Sequence, residues 1–237
     1  MLETFYNRLR DLCGDYGKGN GLTRTEIAKI EAEHARSLAG EFGILVKAGQ
    51  TFASIREGES DFCGAEHLVD LNEDTGRLVK ITVPPSFGLV PAIVSSPRAN
   101  LRDDPAIPEF HRQIEFIPAT PLEYLQRWLI ANEVFEDDVS LKSVIEWEDG
   151  ALSFSIDQPQ YNGELPTQDE IDALLTASGW KCLPNAFGHA LFYNFAFDVL
   201  AIDALPRNCY LREGNLLPFD VILYRPDETL QKFLRLF

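Results

Sequence analysis

Ala201-Ile202-Asp203-Ala204-Leu205-Pro206-Arg207-Asn208-Cys209-Tyr210-Leu211-Arg212-Glu213-Gly214-Asn215-Leu216-Leu217-Pro218-Phe219-Asp220-Val221 is the stretch on which the reading of this chain turns. An apolar run delivers Asp203 into a proline-containing loop, Asn208 follows on the same loop, Glu213-Gly214-Asn215 turns the chain, and a second apolar run delivers Asp220. This pattern predicts strands whose ends carry three oxygen-bearing side chains. Two carboxylates and an amide suit a hard cation such as Mg²⁺, which typically arrives on a nucleotide's phosphates. Asp203 and Asn208 also have a plainer use, because Asp and Asn side chains commonly cap turns.

Leu2, Phe5, Leu9 and Leu12 fall at helical spacing before Gly14, which predicts a first helix. Thr23 and Glu26 have capping-box spacing, with Ile27, Ile30, His34 and Leu38 on one face of a second helix. Two β-type runs, 67–71 and 78–83, flank Asn72-Glu73-Asp74-Thr75-Gly76 and predict a hairpin. The stretch from Pro84 to Pro118, rich in proline and turn formers, reads as a long irregular surface loop. Thr120-Pro121-Leu122-Glu123 opens a helix to about Phe135, and a second hairpin joins 141–147 to 151–156 through Glu148-Asp149-Gly150. A polar connector from Gln158 to Gly163 precedes a helix capped by Thr167, and Asp227 opens a final helix. The sequence thus predicts an α+β fold in three parts: an N-terminal helical segment (1–49), a hairpin-rich lobe (50–157) and a smaller C-terminal lobe (158–237).

The order of these motifs resembles the protein-kinase-like fold. The closest likeness is to the small serine/threonine/tyrosine kinase-like domain of bacterial and phage polyvalent proteins, across roughly residues 40 to 225. The spacing of Asp203 and Asn208 matches that fold's catalytic loop, and Asp220 falls where its metal-binding Asp would lie. The run Gly64 to Val69, with Glu66, and the run Val79-Lys80 look like the family's second and third strands. The helix opened by Thr120 resembles its αC-like helix, and Gln158-Pro159 its adenine-facing connector between lobes. The resemblance implies a compact two-lobed phosphotransferase using ATP and Mg²⁺ on an unknown hydroxyl acceptor, protein or small molecule. Lys80 would bind the phosphates, Gly64, Glu66 and Gln158 would lie against the nucleotide, Asn208 and Asp220 would hold the metal, and Asp203 would act as base. Glu123 and Glu133 are both placed to pair with Lys80.

The chain also departs from that pattern. Ala201-Ile202 precede Asp203 where the family has His-Arg, and Val221-Ile222 follow Asp220 where it has Phe-Gly. No Gly-x-Gly-x-x-Gly loop is present; Gly58 and Gly64 bracket an acidic loop instead. The stretch 221–237 is too short for a full activation segment. These departures keep two other readings open: a weak or inactive nucleotide-binding pseudokinase, and an acidic interaction module of the inhibitor or antitoxin kind.

Composition narrows the partners. Among 237 residues, Asp and Glu number 37 against 21 Lys and Arg, a formal charge of -16. Such a chain repels phosphate backbones and anionic lipid, so neither nucleic acid nor membrane is an expected partner. The N-terminus has no basic head followed by an apolar run, so a cytoplasmic protein is expected. Four scattered cysteines without a C-x-x-C pair suggest neither a zinc site nor a disulfide framework. His34, His67, His111 and His189 lack metal-site neighbours, and Gly17-Lys18-Gly19 lacks the strand and Ser/Thr of a phosphate loop.

Overall fold

The computed structural model describes residues 1–14, 21–49, 66–97, 110–183 and 191–237. In chain order the helices are α1 (Leu2–Cys13), α2 (Arg24–Glu41), α3 (Pro121–Phe135), α4 (Gln168–Ala177) and α5 (Glu228–Leu234). The strands are β1 (Leu45–Lys47), β2 (His67–Asn72), β3 (Arg77–Thr82), β4 (Leu89–Pro97), β5 (Phe110–Pro118), β6 (Ser140–Glu146), β7 (Leu152–Pro159), β8 (Trp180–Cys182), β9 (Leu191–Asn194), β10 (Val199–Ile202), β11 (Cys209–Arg212), β12 (Asn215–Pro218) and β13 (Ile222–Tyr224). The protein is α+β, and among the described residues no helix is long and apolar enough to cross a membrane.

The chain divides into two units, Met1–Leu89 with Pro118–Asn162, and Val90–Ile117 with Gly163–Phe237. The first holds a five-stranded sheet in the order β1-β6-β7-β3-β2. β1 runs parallel to β6, and the β2–β3 and β6–β7 hairpins join antiparallel through β3 and β7. Helices α1, α2 and α3 belong to this unit, so the boundary expected at 49/50 falls inside one unit.

Local chemistry explains why these helices begin where they do. Thr23, Thr120 and Thr167 each accept from the N3 backbone, while Glu26, Glu123 and Glu170 reach back to the N-cap. These reciprocal bonds satisfy donors that a helix start otherwise leaves unpaired. Against the sheet lies an aromatic core. Phe154 of β7 is fully buried, stacks on Tyr124 (5.8 Å, 6°), and meets Phe87 at 5.4 Å and Phe5 at 6.3 Å.

Several sequence expectations are corrected. The stretch 84–118 is not irregular throughout, since β4 and β5 pair as a two-stranded sheet. Pro91, Pro97 and Pro118 lack donors, which a two-stranded sheet with open edges tolerates. Gln158 and Pro159 belong to β7, where Gln158 lies opposite Leu78. The inner face of α2 is Glu31, Ala35, Leu38 and Ala39, with Ile27, Ile30 and His34 only half-buried. On α1, Cys13 is buried and Leu12 is exposed, so the apolar face ends one residue later than the spacing predicts.

The second unit contains a four-stranded sheet, β13-β10-β9-β8, and the β11–β12 hairpin. Gly163 approaches the hairpin so closely that a Cβ there would stand 2.5 Å from the Leu211 carbonyl oxygen. Only glycine fits this approach without backbone movement.

Candidate functional site

In the first unit the chemistry gathers around Lys80. It lies on β3 between β2 and β7, opposite Val69 and Ile156, and only 4 % of its surface is exposed. An ammonium buried to this degree is costly without electrostatic partners. Its Nζ sits 5.0 Å from the centre of the Trp128 ring, and its charge acts on Asp137. Asp137 accepts from Gln158 Nε2 at 2.7 Å and from the Tyr161 hydroxyl. Burial pushes the Asp137 carboxyl up to about 6, against the bonds from Tyr161 and Gln158 and the pull of Lys80. Burial and the Asp137 carboxylate also push the Tyr161 hydroxyl up, so it remains the donor.

Neither acid expected opposite Lys80 is this carboxylate. Glu123 closes the cap of α3 and pairs with Arg24, while Glu133 lies exposed. The chain instead leaves α3 through Glu136 at φ 53, and the next residue, Asp137, turns back to Gln158 at the end of β7. The fold also enlists Trp128 and Tyr161, which nothing in the sequence singles out for this site. The hint the sequence does carry is a polar Asp137-Asp138 pair directly after an amphipathic helix.

Glu66 is a half-buried neighbour of β2 with a structural set of partners. Its carboxylate accepts from Arg127 Nη1 at 2.9 and 3.1 Å and from the Leu89 amide at 2.6 Å. Gln158 is fully buried, and its Oε1 has no hydrogen-bond donor among the described residues. Gly64, and the loop from Gly58 to Gly64, lie outside the described residues.

Asp137 gives the first unit a pH signature. Its usual carboxyl value is 3.8 and its folded value about 6, so the folded state holds the proton more tightly. The contribution of Asp137 to stability is therefore fully present below about pH 4 and is lost as pH rises toward and through 6, by roughly 3 kcal/mol for a carboxyl displaced this far. Asp137→Asn keeps an acceptor for Gln158 and removes the titration. Urea midpoints measured from pH 4 to 7 should show the variant gaining stability on the wild type as pH rises; a constant difference would refute the assignment.

In the second unit, the β10 to β13 segment brings the three sequence-predicted oxygen donors to one end of a sheet. β10 pairs antiparallel with β13 through Ile202 and Ile222, placing Asp203 just past one strand end and Asp220 just before the other. Asn208 ends a 3-10 turn, Pro206–Asn208, and its carbonyl accepts from the Phe219 amide at 3.0 Å, beside Asp220. Asp220 is half-buried.

The loop is held by its own polar groups. Asn208 Nδ2 donates to the Asp203 backbone carbonyl and to Oδ2, both at 2.8 Å. Arg207 Nη2 lies 2.8 and 2.7 Å from the two Asp203 carboxylate oxygens. Asp203 adopts φ 62, a left-handed backbone that residues other than glycine rarely take. Such strain persists only where surrounding bonds over-determine it. Burial, and then the Asp203 charge, push the Cys209 thiol up to about 12, which removes it as a nucleophile near neutral pH.

The donor chemistry fits a hard cation. Because Nδ2 of Asn208 is committed to Asp203, Oδ1 is the atom left to ligate, and Asp220 supplies a carboxylate. Comparison with protein-family models, with curated proteins and with solved structures returned no match to this chain.

Proposed function

We propose that this protein binds Mg²⁺-ATP and transfers its γ-phosphoryl group to a hydroxyl acceptor, with a kinase-like arrangement of its parts. The observation that carries the reading is Lys80, an ammonium on an interior strand where an apolar side chain would be cheaper, held by an indole face and an acid's field. A cation kept there at such cost is suited to gripping phosphates. Support from the second unit is the strained, bonded loop that sets Asp203, Asn208 and Asp220 at one sheet end. In this reading Lys80 binds the nucleotide phosphates, Asn208 Oδ1 and Asp220 hold Mg²⁺, and Asp203 orients the acceptor hydroxyl and takes its proton. Mg²⁺, when bound, would neutralise charge developing on the phosphoryl oxygens.

One contact favours a second reading, nucleotide binding without turnover. Arg207 occupies both carboxylate oxygens of Asp203, and a base so paired must be released before it can take a proton. Melting the protein with and without Mg²⁺-ATP tests binding first. Ligand at about 100 times its Kd stabilises by roughly 2.7 kcal/mol, and Lys80→Ala or Asp220→Ala should abolish that gain. No shift in the wild type would refute both readings and favour an acidic interaction module. A shift without transfer of labelled phosphate to any acceptor, including water, would favour the second.

A further inference from the structure

A second site lies in the first unit. Helices α1, α2 and α3 border an open pocket of about 320 Å³, lined by Tyr6, Arg24, Ile27, Glu31, Leu122 and Glu123 among others. This is the lower end of the size range of small-ligand pockets. We propose that it binds a primary ammonium group carried on a small apolar or aromatic body.

The charge arithmetic of the lining points to a cation. Arg24 is spent within the protein, pairing through Nη2 with Glu123 and donating through Nε to the Pro118 carbonyl at 2.9 Å. That leaves Glu31, only 6 % exposed, as the carboxylate without an ion-pair partner of its own among the described residues. Glu31 accepts from the Leu122 amide at 2.9 Å and from the Thr120 hydroxyl, both neutral donors. A carboxylate offers about four lone-pair sites, so acceptor capacity remains for an ammonium. Burial, and the nearby Glu123 charge, push the Glu31 carboxyl up, against the bonds from Leu122 and Thr120 and the pull of Arg24.

The starts of α2 and α3, which would ordinarily attract anions, are already occupied. Glu26 and Glu123 close their capping boxes, and Glu31 takes the Leu122 amide. With two carboxylates against one guanidinium, the lining repels an anionic ligand. Ile27 and Leu122 supply apolar wall and Tyr6 an aromatic one, which a bare metal ion could not use. The preferred ligand therefore has a charged head and an apolar tail.

The test uses the full chain with butylammonium and phenethylammonium as probes, and butanol and butyrate as uncharged and anionic controls. Both ammonium probes should give a saturable rise in Tm and a heat of binding, and neither control should. Glu31→Gln keeps an acceptor for Leu122 and should fold, yet weaken ammonium binding by on the order of tenfold or more, as expected for loss of a charged hydrogen bond. Ile27→Trp, which fills the pocket and leaves Glu31 in place, should abolish it. The proposal is overturned if neither ammonium binds the wild type, if butanol binds as well, or if both variants bind as the wild type does. It is independent of the phosphotransferase reading, since none of these residues contacts Mg²⁺-ATP in that scheme.

Discussion

In the proposed phosphotransferase reading, Asp203→Asn should lower turnover by roughly 10²–10⁴-fold, the usual worth of a general base, with Mg²⁺-ATP binding changed by no more than a few-fold. The substitution suits the site because asparagine tolerates the left-handed backbone better than most residues, and Asp203 sits at φ 62. An asparagine there can still accept from Asn208 Nδ2 through its Oδ1, so the loop should keep its course. What it loses is the charge that Arg207 pairs with and that could take a proton. Steady-state turnover beside a nucleotide-induced Tm shift separates the two effects. Unchanged turnover would remove Asp203 from the mechanism, and loss of both signals would make it a structural residue. Alanine would be a poorer probe, since it leaves Asn208 without its side-chain partner in a strained backbone.

Phe154→Ala should cost about 3–5 kcal/mol, the usual range for emptying a buried aromatic site. Phe154 is fully buried and meets three rings, from α1, from α3 and from the segment following β3. Those rings belong to different elements, so the site cannot collapse by shifting any one of them. Domains have about 5–15 kcal/mol in total, so the loss is a large fraction of it. For a chain of this size the midpoint should fall by roughly 6–20 °C. Phe154→Leu, which keeps most of the volume, should cost markedly less; equal costs would mean that the ring contacts, and not the buried volume, carry the loss. The backbone bond from the Phe154 amide to Thr82 Oγ1, 3.0 Å, survives either change.

Local signals are legible in the sequence, and contacts distant along the chain are not. The threonine caps at Thr23, Thr120 and Thr167, and both hairpins, depend on residues within a few positions of one another. The contact of Asn208 with Asp203 is legible for the same reason, since one short loop carries both, with Asp220 two residues before the strand that pairs with β10. Asp137 is hidden because its partners, Gln158 and Tyr161, lie a hairpin away. Glu31 is hidden because hydropathy assigns a glutamate to solvent, whereas here it faces inward at the start of α3. The β4–β5 pair reads as loop because its prolines count against a strand interior, a rule that weakens at open edges.

The pairing of β1 with β6 has a further consequence, for how the protein is made. Lys47 and Glu146 are register partners 99 residues apart, and the chain between them leaves the first unit at Leu89 and returns at Pro118. During synthesis the β2–β3 hairpin emerges well before β6 and β7, so β3 presents an unpaired edge until most of the chain has left the ribosome. Closing so long a loop carries an entropic cost that local hairpins avoid, and it slows folding. The half-made chain, with its open strand edge, is therefore the form in which this protein is most exposed to aggregation and most in need of a chaperone.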